Sequence, residues 1–176
     1  AVGSEALWQN TSGTANTCVG RGCLYTNLTG ASNTCIGDTC LFLATGGSNT
    51  AVGADALDTL GAGTQNTAVG VSALTARTTN SNSTGVGYNA LTAETGGTNT
   101  AFGSLACDAV TTGAGNVCLG YNVDVTTATA STQLVIGSGT KIWFRGDANG
   151  VWSVGPSAQT IADTNTVTAD ACGSIK

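Results

Sequence analysis

The sequence predicts an all-β protein, a parallel β-solenoid (β-roll) of about nine 17-residue coils that ends in a C-terminal β-hairpin cap. Three observations support this prediction. An apolar residue followed by glycine recurs at intervals of 16 or 17 residues, the positions between these steps keep their side-chain size, and the composition disfavours helix. A fixed period of this length is typical of repeat architectures.

The apolar-glycine step marks nine units over residues 1–137, which we expect to form the repeat array. The marker glycines are Gly3, Gly20, Gly37, Gly53, Gly70, Gly87, Gly103, Gly120 and Gly137. A large apolar residue precedes each of them, and a small one, Ala, Cys or Gly, stands before that in all but the last unit. A second small residue follows three positions after the glycine, usually with Leu beside it. Asparagine opens most units, at Asn16, Asn33, Asn49, Asn66, Asn99 and Asn116.

Short runs of β-branched residues, separated by Gly and Asn at fixed offsets, indicate strands and corners rather than helices. If each unit lies on the next, every coil adds one rung of about 4.8 Å. Identical positions then form columns along the axis. The Asn column is expected to become an amide ladder that holds one corner.

The alternation of large and small residues leads to a prediction about assembly. Neighbouring side chains of a strand point to opposite faces. We expect the large residue of Thr-Ala-Val-Gly to fill the coil and the small one to face outward, where only a close neighbour chain would suit it. The prediction is a homotrimer, and the alternative is a monomer with an Ala-rich face.

The phrases NTCVG, NTCIG, NTAVG and NTAFG, with the Ala/Cys-Leu step that mostly follows, resemble repeats of phage and other viral tail or surface fibres. They are also similar to head repeats of trimeric autotransporter adhesins, over about residues 1–137. The resemblance implies a trimeric parallel β-roll on a virion surface or otherwise outside the cell. Because adhesin head repeats are commonly shorter than 17 residues, it favours a viral fibre shaft or head that attaches to a host surface. The alternative is a bacterial adhesin head.

The repeat ends after residue 137. Residues 138–156, with the phrase KIWFRGDANGVWSVG, predict a β-hairpin that caps the array or starts another domain, and residues 157–176 predict an extended polar tail. Trp143 and Trp152 in this segment are candidate contacts for a host receptor or glycan. Arg145 and Asp147 flank Gly146 in the tripeptide that integrin ligands display.

The cysteines fall in columns, Cys18 with Cys35 and Cys23 with Cys40. Because Ala occupies the same positions elsewhere, we interpret them as small buried residues. The alternatives are inter-coil or inter-chain disulfides, with Cys172 the best candidate for an inter-chain link. The chain has no Cys-x-x-Cys group and no His, so we expect no metal and no cofactor.

Several function classes are disfavoured. Without His a Ser-His-Asp or Cys-His catalytic group is impossible within this chain, and the ten carboxylates are scattered, so we expect no enzyme. Five basic residues and a net charge of −5 disfavour nucleic-acid binding. No apolar run approaches the roughly 20 residues that a membrane span needs. A minor alternative is an ice-binding solenoid, suggested by a Thr column from Thr17 to Thr100 that Val117 interrupts.

Two further expectations concern processing. Asn10, Asn27 and Asn82 lie in Asn-x-Ser/Thr sequons and are expected in exposed bends, where they could carry glycans in a eukaryotic host. The sequence starts inside a repeat and without Met, which indicates a piece of a longer protein.

Overall fold

The computed structural model describes residues 1–76, 79–147 and 149–154, and the predicted polar tail, including Cys172, lies outside them. Ten strands and no helix are present in this part of the chain. The strands are β1 (Thr17–Val19), β2 (Thr34–Ile36), β3 (Thr50–Val52), β4 (Thr67–Val69), β5 (Thr84–Val86), β6 (Thr100–Phe102), β7 (Val117–Leu119), β8 (Leu134–Ser138), β9 (Lys141–Gly146) and β10 (Trp152–Val154).

The predicted parallel β-solenoid is confirmed. The ten strands form one sheet in sequence order, and seven parallel pairings join β1 to β8. The register pairs equivalent positions of successive repeats: Thr17 pairs with Thr34, and Cys18 with Cys35. The array makes about seven turns instead of nine. The first unit adds only an isolated bridge at Val2, and after β8 the chain reverses into an antiparallel strand.

The marker glycines form the corner at which each coil leaves the sheet. From Gly3 to Gly120 their φ angles lie between 129° and 146°, a region that side-chain-bearing residues rarely adopt. A Cβ at Gly70 would lie 2.6 Å from the carbonyl carbon of Gly87 in the next coil. Glycine is therefore required twice, by the backbone angle and by the contact between coils. Gly137 has no positive φ, and there β8 continues straight to Ser138.

The prediction of which strand residues face the interior was wrong. The small residues face inward: Cys18, Cys35 and Ala68 are at most 1% exposed, whereas Val19 and Ile36 are 43% and 44% exposed. The reason is the narrow interior, because the two small columns lie directly opposite each other across it. The Cα atoms of Cys18 and Cys23 are only 5.9 Å apart, which leaves no room for a Val or Ile between them.

The leucine column fills the rest of the interior. Its five fully or almost fully buried members share a left-handed backbone with φ between 52° and 56°: Leu24, Leu41, Leu57, Leu74 and Leu91. Such a conformation costs on the order of 1–2 kcal/mol for a residue with a side chain. Burial of each Leu side chain offsets it with about 1.5–3 kcal/mol. Each Leu N–H also donates to a carbonyl of the next coil, as from Leu57 to Ala73 at 3.0 Å.

Beyond the repeat the sheet becomes antiparallel. β8 pairs with β9, and β9 pairs with β10 across the turn that contains Asn149 and Gly150. The sheet is thus continuous across residues 137 and 138, where the sequence predicted a boundary, because Gly139 allows a tight reversal with a φ of 57°. The role of the β9–β10 hairpin as a cap stays a prediction.

Gly87, at the corner after β5, and Gly85, within β5, allow a test of whether the corner requires glycine. We expect Gly87→Ala to lower the free energy of unfolding by about 2–4 kcal/mol, because the new Cβ would overlap the carbonyl group of Gly103 at a φ of 139°. The matched control is Gly85→Ala, at a position where neighbouring coils carry Ala68 and Ala101, and we expect a change below about 1 kcal/mol. Urea unfolding followed by circular dichroism measures both, and equal losses would contradict the assignment.

Candidate functional site

The outward face of the strands carries two parallel columns. One is aliphatic and aromatic, and we call it the outer stripe: Val19, Ile36, Val52, Val69, Val86, Phe102 and Leu119. The other is the Thr column: Thr17, Thr34, Thr50, Thr67, Thr84 and Thr100. Phe102 and Leu119 are 44% and 47% exposed, and neither column contains a charged residue.

Large residues widen this face towards the C-terminal half of the array. Val71, Tyr88 and Tyr121 each stand two positions after a member of the outer stripe, and all three are exposed. Scattered exposed hydrophobic residues are normal on a protein surface. An uncharged hydrophobic row along seven neighbouring strands is different, and it makes this face the candidate contact surface.

The Asn column forms a ladder between side chains and backbone. The backbone N–H of Asn33 donates to Asn16 Oδ1 at 2.9 Å, and that of Asn49 donates to Asn33 Oδ1 at 2.9 Å. Asn33 Nδ2 also donates to the Gly46 carbonyl at 3.0 Å. The same backbone-to-side-chain bond recurs one coil after another at Asn66, Ser83, Asn116 and Gln133. Each buried amide therefore joins two coils, and these residues are structural.

One break in the ladder is compensated locally. Ser83 occupies the Asn position but is too short to reach the carbonyl that Asn would bind. The buried carboxylate of Glu94 lies beside it instead, and its Oε1 accepts from Asn99 Nδ2 at 3.0 Å and from the backbone N–H of Gly97. Ser83 Oγ lies 3.4 Å from the same oxygen. The sequence does not reveal this role of Glu94, since the equivalent position is variable and holds Asn, Ala, Leu, Arg, Val or Thr in the other units.

Four buried cysteines form one cluster in the first two full coils. The sulfur of Cys23 contacts those of Cys18 and Cys35, and the sulfur of Cys35 also contacts that of Cys40. A sulfur can form only one disulfide, so these contacts allow alternative pairings. Elsewhere Cys107 and Cys118 form an isolated pair whose Cα atoms are 5.7 Å apart.

The cluster also meets the distance requirement of a metal site, since the sulfurs of Cys18, Cys23 and Cys35 lie within 4.8 Å of one another. Its polar surroundings do not suit thiolates. The nearest polar atoms are carbonyl oxygens, as for Cys18 Sγ at 3.0 Å from the Cys23 oxygen and Cys35 Sγ at 2.9 Å from the Cys40 oxygen. Carbonyl oxygens repel a negative sulfur, so the chemistry favours neutral thiols or disulfides over metal ligation.

The hairpin residues do not form one binding surface. Trp152 lies opposite Gly146 and stacks against Phe144 with ring centroids 5.0 Å apart, whereas Trp143 points to the other face of β9. Both Trp side chains are more than half exposed. The structure thus separates the two predicted receptor-binding tryptophans.

Asp147 holds the hairpin turn. Its Oδ1 accepts from the backbone N–H groups of Asn149 and Val151, at 2.9 and 3.0 Å. These two bonds, from Val151 first and Asn149 second, lower the pKa of Asp147. The carboxylate therefore has a local structural role within the Arg145-Gly146-Asp147 tripeptide.

The prediction that all three sequon asparagines are exposed was wrong for Asn27. Its side chain is completely buried, and Nδ2 donates to the Gly30 carbonyl at 2.9 Å and to Asn10 Oδ1 at 3.0 Å. Asn10 is partly buried and donates to the Gly13 carbonyl. Both belong to a second inter-coil ladder, which leaves Asn82 as the exposed member.

Asp108 and Asp124 place two carboxyl groups together in neighbouring coils. Partial burial, and then the hydrogen bond with Asp108, raise the pKa of Asp124 to about 6. Asp124 Oδ1 also accepts from the backbone N–H of Ala109 at 3.2 Å. Asp124 therefore keeps its proton to a higher pH than an ordinary carboxyl group, a property that its isolated position in the sequence did not suggest.

Comparisons with family models, curated proteins and solved structures found no match to this chain. The part of the chain that the structure describes contains no helix that could cross a bilayer.

The carboxyl pair predicts a pH dependence of stability. Because the folded-state pKa of Asp124 lies above its ordinary value of 3.8, the folded chain binds more protons between pH 4 and 6, and stability falls as the pH rises through about 6. We expect a melting temperature about 2–4 °C higher at pH 5 than at pH 7. Asp124→Asn should remove most of this difference and raise the pH 7 value, as differential scanning fluorimetry can measure. The control Asp38→Asn, which removes an exposed carboxylate, should keep the difference.

Proposed function

We propose that this chain is a non-enzymatic structural segment of a viral tail or surface fibre, built as a homotrimer in which the outer stripes of three chains meet. One observation carries the proposal, the uncharged row of hydrophobic side chains along a self-stacking solenoid, half-buried at Val52, Val69 and Val86 and exposed towards both ends. The resemblance of the repeats to viral fibre repeats supports it.

The regular spacing of the outer stripe suits a partner whose side chains repeat with the same spacing. Residues of the outer stripe repeat with the rung spacing of the sheet, about 4.8 Å, over roughly 35 Å from β1 to β8. A second copy of the chain has the same rise, so its side chains can stay in step along the whole length. An unrelated globular surface would match only a few rungs.

Three copies around an axis suit the width of the face. The outer stripe and the Thr column are two residues apart on the same strand, so the face is a narrow ribbon. In a three-fold arrangement each ribbon contacts two others, and Val71, Tyr88 and Tyr121 extend the contact at one side. Because the small residues of the strands face inward, the proposed interface is the outer stripe and not the Ala and Cys column that the sequence suggested.

A trimeric fibre acts through rigidity and multivalency. Three chains present three copies of every bend, so weak contacts with a host receptor or glycan combine into avidity. Exposed bends and the tryptophans of the hairpin, Trp143 and Trp152, are the proposed contact points. The proposed location is the surface of a virion.

Charge placed in the outer stripe tests the assembly. We expect the wild-type chain to have a trimeric mass by size-exclusion chromatography with light scattering, and Val69→Glu to be monomeric because three carboxylates would meet at the axis. The control Gln65→Glu adds a carboxylate at an exposed corner of the same coil and should remain trimeric. Circular dichroism checks that both variants keep the fold. A monomeric wild type at high concentration would overturn the trimer.

The Thr column favours ice binding as a second candidate, because six threonines stand in register on the outward face of the sheet. The two candidates use the same surface and exclude each other. Ice binding predicts a monomer that shows thermal hysteresis, and Thr67→Tyr should abolish the hysteresis by disturbing the flat array. A trimer without hysteresis would reject this candidate.

A further inference from the structure

The cysteines of the repeat follow a pairing rule. Most coils have two small inward positions, one two residues before the marker glycine and one three residues after it. In two coils cysteine occupies both positions, Cys18/Cys23 and Cys35/Cys40. Other coils have no cysteine at either position: Ala51/Ala56, Ala68/Ala73, Gly85/Ala90 and Ala101/Ala106.

Cys118 is the informative exception. The corresponding second position in its own coil is Val123, so no cysteine faces it there. A cysteine stands instead in the preceding coil, where Cys107 replaces the leucine of the buried column. The Cα atoms of Cys107 and Cys118 are 5.7 Å apart, so this cysteine also has a partner across the interior.

The distances suit covalent bonds within coils. The Cα atoms of Cys18 and Cys23 are 5.9 Å apart and those of Cys35 and Cys40 are 5.8 Å apart, both at the common separation for disulfides. The remaining contact, Cys23 with Cys35 at 6.2 Å, would leave Cys18 and Cys40 as unpaired buried thiols. Cys18 and Cys35 are register partners on parallel strands, where the Cβ atoms point the same way instead of towards each other.

We propose that the chain contains three disulfides that cross its narrow interior: Cys18–Cys23 and Cys35–Cys40 within single coils, and Cys107–Cys118 between neighbouring coils. This assignment does not depend on the proposed fibre function. It differs from the interpretation of the sequence, which took the cysteines as small buried residues, and from the alternative of bonds between like columns, Cys18 with Cys35 and Cys23 with Cys40.

Each bond forms by thiol–disulfide exchange with a low-molecular-weight disulfide such as oxidised glutathione. A protein thiolate attacks that disulfide and releases one small thiol, and the second cysteine then displaces the other. Two protein S–H groups are lost, one protein S–S bond forms, and the small disulfide is reduced to two thiols.

The sequence allows a direct test by mass spectrometry. Refolded full-length chain is equilibrated with oxidised and reduced glutathione, unfolded in the presence of excess alkylating reagent, and digested with trypsin and an Asp-specific protease. Cleavage after Arg21 separates Cys18 from Cys23, and cleavage before Asp38 separates Cys35 from Cys40. Cleavage before Asp108 separates Cys107 from Cys118.

The proposal expects the peptides containing Cys18 and Cys40 to be linked to the one containing residues 22–37, with fragmentation placing the bonds on Cys23 and Cys35 respectively. A bond inside the 22–37 peptide, bonds between Cys18 and Cys35, or full alkylation of all six cysteines would each overturn it. A zinc-loaded cluster, seen as a metal adduct by native mass spectrometry after refolding with zinc, would overturn it as well.

A pair of double variants provides the control. Cys18→Ala with Cys23→Ala reproduces the Ala/Ala coils of the same chain, so it should fold and keep Cys35–Cys40 intact. Cys18→Ala with Cys35→Ala should leave Cys23 and Cys40 as free thiols that react with alkylating reagent after unfolding. Reduction should lower the melting temperature of the wild type by about 5–15 °C, and that of the first variant by less. A bond between Cys23 and Cys40 in the second variant, or loss of Cys35–Cys40 in the first, would contradict the pairing.

Discussion

The structure depends on one constraint, the hydrogen bonding of each coil to the next. Strands of three residues are too short to stand alone, and a buried backbone group without a partner is costly. Each coil therefore takes its partners from its neighbours, through the strands, the Leu N–H groups and the Asn side chains. Because these bonds connect equivalent positions, the coils must stack in register, and every side chain lies above its counterpart.

Close stacking also determines how narrow the interior is. At the marker glycines the backbones approach so closely that no Cβ fits, and across the interior the two small columns almost touch. Ala, Cys or Gly occupies these positions in most coils, with Val only at Val123 and Val135 near the end of the array, while the Leu column fills the remaining space. The large residues of the strands are consequently directed outward. The exposed hydrophobic row is thus a consequence of the tight coil, and the same tightness brings the paired cysteines together.

Much of the fold could be predicted because its cause is periodic. The marker glycines, the Asn column and the period of 17 residues indicate a parallel solenoid without any knowledge of contacts. The orientation of Val19 and Cys18 could not be read in the same way, since alternation shows that they face opposite sides but not which side is inside. That depends on the width of the coil, a three-dimensional quantity. Pairings such as Glu94 with Ser83, or Asp124 with Asp108, depend on individual side chains that the other units lack and leave no periodic signal.

The same constraint divides the positions of the repeat into two kinds. Columns that touch the next coil through the backbone or the core tolerate little variation, and where one is broken, as at Ser83, another residue compensates. The position after the marker glycine is different: it holds Arg21, Asp38, Ala54 and Tyr88 in successive or nearby coils without disturbing the stack. Side chains there take no part in the backbone and Asn ladders, although Arg21 and Asp38 form an exposed ion pair between neighbouring coils. A solenoid of this kind can therefore change its surface chemistry coil by coil while its stacking stays constant.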